Sequence, residues 1–182
     1  MLFDLDGTLS DPGEGIARSI RYALGALGYP VGENDLRWCV GPPLREIFAR
    51  LIAPVDNQEQ VERAVRLYID HYACHGALEC KLYEGVPAML AEIRRFARMF
   101  VVTSKNTEIA EQILTALELR HYFAKVIGVE CDGRFRVKAD AVRFLIDTER
   151  LIRSETAIVG DREHDILAGR ANGIIAIGVT YG

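Results

Sequence analysis

From residue 86 onwards the chain alternates between amphipathic helices and short apolar segments, and this alternation restricts the fold more than any other feature. The apolar segments carry hydrophobic side chains at successive positions, which is typical of strands that are buried on both faces. They are Met99–Val102, Lys125–Val129, Thr156–Val159 and Ile174–Val179. Buried strands separated by helices predict an α/β fold, with a parallel sheet covered by helices on both sides.

Residues 13–80 interrupt this pattern, because they show helical spacing and no convincing strand. Before them, the apolar run Met1–Phe3 predicts the first strand of the sheet, and Asp11, Pro12 and Glu14 predict a capped helix start. The apolar positions that follow have the spacing of helix faces: Ile16, Ile20 and Leu24, then Leu44, Ile47 and Phe48, then Val61, Val65 and Tyr68. We therefore predict a Rossmann-like α/β core, residues 1–12 and 81–182, with an all-helical domain, residues 13–80, inserted after its first strand.

Charge and composition exclude several classes of protein. The chain has 22 basic and 26 acidic side chains, a net charge of −4, which argues against a nucleic-acid or anionic-membrane partner. No apolar run approaches the ~20 residues of a bilayer span. The acidic residues Asp4 and Asp6 do not fit the basic start of a signal peptide. These features predict a cytoplasmic protein.

The four cysteines are widely scattered and predict reduced thiols rather than a disulfide framework. One loose group, His71, Cys74, His75 and Cys80, leaves a zinc site open as an alternative. Its spacing fits no regular zinc pattern, so the favoured interpretation is a helix end with exposed polar residues.

Polar residues follow the predicted strands at the points where ligands bind in an open α/β sheet. Clustered carboxylates repel one another unless a cation lies among them, and oxygen ligands favour Mg²⁺. A lysine and a hydroxyl facing that cation suggest a phosphate-bearing substrate. The residues predict a Mg²⁺-dependent site for phosphoryl transfer. They are Asp4 and Asp6 after the first strand, Thr103 and Ser104 after the second, Lys138 some way after the third, and Asp161 and Asp165 after the fourth.

Four segments, in order, resemble the motifs of the haloacid dehalogenase-like hydrolase superfamily. Asp4-Leu5-Asp6-Gly7-Thr8-Leu9 resembles the first motif, DxDGT[LV], and Val101-Val102-Thr103 resembles the second. Lys138 matches the lysine of the third motif, although Ala139 replaces the proline that often follows. Gly160-Asp161-Arg162-Glu163-His164-Asp165 matches the fourth motif, GDxxxD. The resemblance covers essentially the whole chain.

The resemblance implies a role for each residue. Asp4 would attack phosphorus to form an aspartyl phosphate, and Asp6 would be the general acid and base. Mg²⁺ would be held by Asp4, the main-chain carbonyl of Asp6, and Asp161. Asp165 would be a further ligand or would orient one through water. Thr103, Ser104 and Lys138 would bind the phosphoryl group. A carboxylate at position 6 also implies phosphoryl transfer, since members that displace halide from carbon lack it.

The same resemblance assigns residues 13–80 to a helical C1-type cap, and Arg45 to contact with the leaving group of the substrate. The segments Gly160–Gly173 and Gly178–Gly182 most resemble the phosphoglycolate phosphatase-like branch, which includes members described as 5′-nucleotidases. A phosphatase acting on a small phosphomonoester is therefore expected, as a monomer or small homo-oligomer. Relatives usually continue past Tyr181-Gly182 with a further strand and helix, which is consistent with a trimmed chain.

Two alternatives stay open. A sugar-phosphate mutase of the same family would transfer the phosphoryl group of the aspartyl phosphate to a sugar instead of water. A receiver-like phosphoacceptor domain also places Asp, Thr and Lys at strand ends, but its acceptor aspartate follows the third strand and it has no helical insertion.

Overall fold

The computed structural model describes residues 1–30, 32, 35–53 and 57–182. The chain divides into two compact units, an α/β unit of Met1–Asp11 with Lys81–Gly182 and a helical unit of Pro12–Cys80. Pro12, which we predicted to end the first segment of the core, falls in the helical unit.

The strands are β1 (Leu2–Phe3), β2 (Ser10–Asp11), β3 (Lys81–Leu82), β4 (Phe100–Asn106), β5 (Lys125–Val129), β6 (Ala157–Gly160) and β7 (Ile175–Gly178). The helices are α1 (Gly13–Ala26), α2 (Leu44–Ile52), α3 (Gln58–Cys74), α4 (Val86–Ile93), α5 (Thr107–Ala116), α6 (Lys138–Glu149) and α7 (Glu163–Ala171).

Five strands form one parallel sheet in the order β5-β4-β1-β6-β7. The central strand, β1, is only two residues long, and Leu2 pairs with Phe100 on one side and Ile158 on the other. The predicted α/β fold with a parallel sheet is confirmed. Because β1 lies between β4 and β6, the residues that follow these three strands are brought to one place.

One apolar core cluster lies on the face of this sheet where α6 and α7 pack. Phe3, the next residue along β1, faces the other side and contacts Phe123 with a ring-centroid distance of 6.2 Å. Burial on both faces explains the apolar residues of β1, β4, β5 and β6. The edge strand β7 differs from the prediction, because its side chains Ile175 and Ile177 are exposed. The core cluster contains Leu2, Phe100, Val102, Ile127, Ala141, Val142, Leu145, Ile146, Ile158, Ala168 and Ile174.

The helix start and the strands differ in detail from the sequence predictions. Pro12 is the N-cap residue of α1, and Asp11 before it lies in β2, opposite Lys81 of β3 in a short antiparallel pair. These two strands have two residues each, too few to leave a readable alternation in the sequence. Strand β4 also continues to Asn106, with an irregularity after Val102, so Thr103 and Ser104 lie in its carboxyl-terminal part.

In the helical unit, α1 and α2 both pack against α3. As predicted, the described residues between 13 and 80 contain no strand. Gly15 allows α1 to lie against the chain after α3, because a Cβ atom there would stand 1.9 Å from the carbonyl oxygen of Gly76. The sequence also predicts loops at Pro30–Pro43 and Ala53–Gln58, and both lie partly outside the described residues.

The packing of α7 on the sheet can be tested with two Gly→Ala substitutions. A Cβ at Gly169 would lie 2.8 Å from the Cβ of Ala176 and 2.9 Å from Cγ2 of Ile158, so we expect Gly169→Ala to lower the free energy of unfolding by about 1–3 kcal/mol. At Gly178 the nearest atom, Cδ1 of Ile166, would be 3.8 Å away, and Gly178→Ala should change that free energy by less than about 0.5 kcal/mol. Urea denaturation measures both, and equal stability of the two variants would contradict the packing.

Candidate active site

Three carboxylates meet at the carboxyl ends of the central strands. Asp4 follows β1, Asp161 follows β6, and Asp165 lies in the first turn of α7. One oxygen of each lies within 4.8 Å of the others, and in the described part of the chain this is the one group of three His, Cys, Asp or Glu side chains close enough to share an ion. Three oxygen donors at this spacing fit a hard divalent cation such as Mg²⁺.

Lys138 supplies a positive charge inside this group. It is the first residue of α6, and its Nζ atom lies 2.9 Å from Oδ2 of Asp4 and 2.6 Å from Oδ1 of Asp165. Its side chain is only 4% exposed. The buried ammonium therefore links a residue after β1 with a residue on α7.

Burial and the neighbouring charges both change the pKa values of Asp4 and Lys138. Burial raises the pKa of the Asp4 carboxyl to about 6, Lys138 opposes that rise, and Asp165 adds to it. Burial alone would lower the pKa of Lys138, but the two carboxylates outweigh it and the pKa is raised. Lys138 therefore stays an ammonium at neutral pH, and Asp4 is mostly ionised there.

Neighbouring donors fix the orientation of each carboxylate. Oδ1 of Asp4 accepts a hydrogen bond from the Leu5 amide at 2.8 Å. Oδ2 of Asp165 accepts one from the Arg162 amide at 3.1 Å, which also caps the start of α7. The Thr8 hydroxyl donates to Oδ1 of Asp161 at 3.1 Å. The aspartates are thus held in place by the loops that carry the first and fourth motifs.

Two glycines of these motifs make room for the carboxylates. Gly7 has a φ of +80°, and a Cβ atom there would lie 2.3 Å from Oδ2 of Asp161. A Cβ at Gly160 would lie 2.1 Å from Cγ of Asp165. Side chains at either position would push the aspartates apart, so the glycines are required by the packing of the site.

Asp6 lies outside the three-carboxylate group. Its Oδ2 forms an ion pair with Nζ of Lys105 at 2.8 Å, and its buried Oδ1 receives no hydrogen bond from the described residues. The sequence places Lys105 directly after Thr103 and Ser104, at the end of a strand next to β1, but it predicts no role for this lysine in the site.

The predicted phosphate-binding residues of β4 differ in exposure. Thr103 is buried, and its hydroxyl oxygen accepts a hydrogen bond from the Lys105 amide at 3.2 Å, whereas Ser104 is exposed. Arg45 belongs to the helical unit, where its Nε atom lies 2.6 Å from Oε1 of Glu62. The roles assigned to Thr103, Ser104 and Arg45 stay predictions.

The zinc alternative is not supported. His71 accepts or donates a hydrogen bond with the Ser19 hydroxyl at 3.0 Å and stacks on Tyr22 at a ring-centroid distance of 4.3 Å. Cys74 is exposed and Cys80 half-buried, and neither joins His71 or His75 in a group of ligands among the described residues. His71 therefore belongs to the packing of the helical unit.

A parallel α/β sheet whose central strand ends in an aspartate, beside a buried lysine and two more aspartates, is an arrangement suited to phosphoryl-transfer enzymes. The family model described as haloacid dehalogenase-like hydrolase matches residues 1–179. The chain belongs to this family, as its four motifs predicted. The receiver-domain alternative is therefore wrong.

Comparison with known proteins supports the predicted branch. The chain is 36% identical to a 5′-nucleotidase of Pseudomonas aeruginosa, covering 100% of the chain and 82% of the relative. It is 34% identical to the tyrosine-protein kinase PtkA of Mycobacterium tuberculosis, of which it covers 62%. Other relatives are named phosphoglycolate phosphatase and pyrophosphatase. A crystal structure from Clostridium difficile superposes with a TM-score of 0.92 at 35% identity, covering 100% of this chain and 84% of that one.

These relatives confirm the predicted class of enzyme, a phosphoric monoester hydrolase. The names of the relatives differ in substrate, so they do not select one for this chain. None of the described helices combines the length and hydrophobicity of a membrane-spanning segment.

The contribution of Lys138 to the free energy of unfolding can be measured by comparing substitutions of two lysines. Lys138→Met leaves two buried carboxylates without their counter-charge, so we expect it to lower the free energy of unfolding in Mg²⁺-free buffer by about 3 kcal/mol or more. Lys125→Met removes a partly exposed ion pair with Glu149 and should cost less than about 1 kcal/mol. If chemical denaturation gives the two variants the same stability, the buried ion pairs do not hold the site together.

Proposed function

We propose that this protein hydrolyses a small phosphate monoester through a phosphorylated Asp4, with Mg²⁺ bound by Asp4, Asp161 and Asp165. The observation that carries the proposal is the position of Asp4, a buried carboxylate at the end of the central strand, beside Lys138 and two further carboxylates. Asp4, Asp161 and Asp165 would hold the ion, since carboxylate oxygens are the ligands that a hard cation prefers.

The donor set supports Mg²⁺ because every side-chain ligand offered is a carboxylate oxygen. The family resemblance adds the main-chain carbonyl of Asp6 as a further ligand. When bound, Mg²⁺ offsets the negative charge of the phosphoryl oxygens. Lys138 lies within hydrogen-bond distance of Asp4, so its ammonium is available to the same oxygens.

Asp4 is suited to act as the nucleophile. The Leu5 amide and the Lys138 ammonium hold its two oxygens in fixed directions, so the attacking atom needs no reorganisation. In the first step an Asp4 oxygen bonds to phosphorus while the bond from phosphorus to the leaving oxygen breaks. Asp6 gives its proton to that leaving oxygen.

The second step returns the enzyme to its starting state. Asp6, now a carboxylate, takes a proton from a water molecule whose oxygen attacks phosphorus. The bond between phosphorus and Asp4 breaks, which releases inorganic phosphate and the Asp4 carboxylate. The contact with Lys105 gives Asp6 a fixed partner during this exchange. Thr103 and Ser104 are proposed to hold the phosphoryl oxygens.

We propose phosphoglycolate or a nucleoside monophosphate as the substrate, because relatives at 30% identity or more carry the corresponding names. The helical unit is proposed to act as a cap that selects the leaving group, and Arg45 to contact that group. The predictions of a cytoplasmic location, of a monomer or small homo-oligomer, and of no nucleic-acid or membrane partner stay predictions.

The proposal is tested by measuring phosphate release with Mg²⁺ and with EDTA. The substrates would be phosphoglycolate, several nucleoside monophosphates, sugar phosphates and an aryl phosphate. We expect fast, Mg²⁺-dependent release from one of the first two classes. A mutase would instead release phosphate slowly from a sugar phosphate. It would also exchange phosphoryl groups only in the presence of a sugar bisphosphate primer.

Asp4→Asn should abolish turnover, because the amide is a far weaker nucleophile than the carboxylate. We expect kcat to fall by at least roughly a thousandfold, with an unchanged circular dichroism spectrum at the assay temperature. The matched control is Asp132→Asn, an exposed aspartate that pairs with Arg134. Normal turnover by Asp4→Asn would remove Asp4 from the role of nucleophile.

Arg45→Ala tests the selection of the leaving group. If the guanidinium binds an anionic leaving group, kcat/KM for the best substrate should fall by roughly 10- to 100-fold, while hydrolysis of the aryl phosphate should change little. Arg63→Ala, which removes an exposed arginine from the same unit, is the control. Equal losses on both substrates would exclude Arg45 from this role.

A further inference from the structure

The Arg162 guanidinium lies against the third carboxylate of the site. Its Nε atom is 3.2 Å from Oδ2 of Asp161, and the side chains are 43% and 5% exposed, respectively. The family motif leaves this position unspecified, and neither the proposed chemistry nor the predicted site residues use it. The contact therefore raises the question of what an arginine does beside a carboxylate that is proposed to bind a metal ion.

We infer that Arg162 is an exchangeable counter-charge, which holds Asp161 when no divalent ion is bound and competes with the ion for that carboxylate. This inference rests on the Mg²⁺ site of the proposed function. It makes Arg162 a positioning residue that sets the affinity of the site for the ion.

The charges of the site are divided between two cations. Lys138 pairs with Asp4 and Asp165, and Arg162 pairs with Asp161. Three carboxylates whose oxygens lie within 4.8 Å of one another repel strongly, so each cation stabilises the metal-free protein. The Arg162 contact places the second positive charge on the carboxylate that Lys138 is not seen to pair with.

The two cations differ in how easily they can leave. Lys138 is 4% exposed and is held between two carboxylates, so its departure would leave buried charges without a partner. The Arg162 side chain is nearly half exposed, so water already reaches it beside its contact with Asp161. Arrival of a metal ion therefore displaces Arg162 and leaves Lys138 in place.

The backbone of Arg162 does not have to move in this exchange. Its amide donates to Oδ2 of Asp165 at 3.1 Å and thereby caps α7, independently of where the side chain points. The guanidinium can swing away from Asp161 while the loop and the helix start keep their positions. A side chain that moves on a fixed backbone is suited to reversible exchange with an ion.

Competition predicts effects of opposite sign on metal affinity and on metal-free stability. Without the guanidinium, Asp161 loses its counter-charge, so the melting temperature in EDTA should fall. The ion then meets no competing donor and no adjacent positive charge, so it should bind about tenfold more tightly. An arginine with a purely structural role gives the other pattern, in which its loss weakens both the fold and the binding of the ion.

The experiment compares Mg²⁺ binding by isothermal titration calorimetry for the full chain and four variants. Arg162→Gln should lower the Kd about tenfold, and Arg162→Lys, which keeps the charge, should stay closer to the wild type. Arg170→Gln removes an exposed arginine from the last turn of the same helix and should leave the Kd unchanged. Asp161→Asn should weaken binding, which identifies the titrated site as the one that Arg162 contacts.

Thermal denaturation in EDTA completes the test. A lower melting temperature for Arg162→Gln together with a lower Kd supports the exchange. A Kd that is unchanged or higher in Arg162→Gln overturns it, as does a wild-type chain that binds no Mg²⁺. The binding experiment uses no substrate, so its outcome is independent of phosphatase activity. A tenfold lower Kd in Arg162→Gln would support the exchange even if the protein released no phosphate, and the absence of phosphate release would contradict the proposed function.

Discussion

The site depends on one buried ion pair network, in which the Lys138 ammonium lies between Asp4 and Asp165. Carboxylates this close would drive each other apart or take up protons, and burial already raises the pKa of Asp4. The lysine offsets the repulsion between the two groups and holds them close together. The same contacts join the end of β1 to the starts of α6 and α7. The side chains of Asp4, Lys138 and Asp165 therefore serve both the proposed reaction and the packing of the α/β unit.

The short central strand explains how the four motifs come together. Strand β1 has two residues, but it pairs with β4 on one side and β6 on the other. The carboxyl end of β1 therefore lies in the middle of the sheet. Thr103, on β4, lies on one side of it, and Asp161, after β6, lies on the other. Gly7 and Gly160 then allow backbone and carboxylates to approach more closely than any side chain would permit.

This arrangement accounts for the variety of names among the relatives. The residues proposed to bind the phosphoryl group lie in the α/β unit, whereas Arg45, proposed to contact the leaving group, lies in the helical unit, exposed and paired with Glu62. The relatives named as a nucleotidase, a phosphoglycolate phosphatase and a pyrophosphatase differ in substrate. On this proposal, the reaction class and the substrate are determined by different parts of the chain.

The sequence alone determined the parallel sheet, the helical insertion and the identity of Asp4, Lys138, Asp161 and Asp165, because uniformly apolar strands and motif spacing are properties of local sequence. Only the tertiary structure decided which charges meet. The strand-end position of Lys105 can be read from the sequence, but its pairing with Asp6 cannot, nor can the pairing of Arg162 with Asp161 or the short pair β2–β3. An ion pair depends on the distance between two side chains, and that distance is set by the sheet order and the close approach of loops, which the spacing of residues along the chain does not encode.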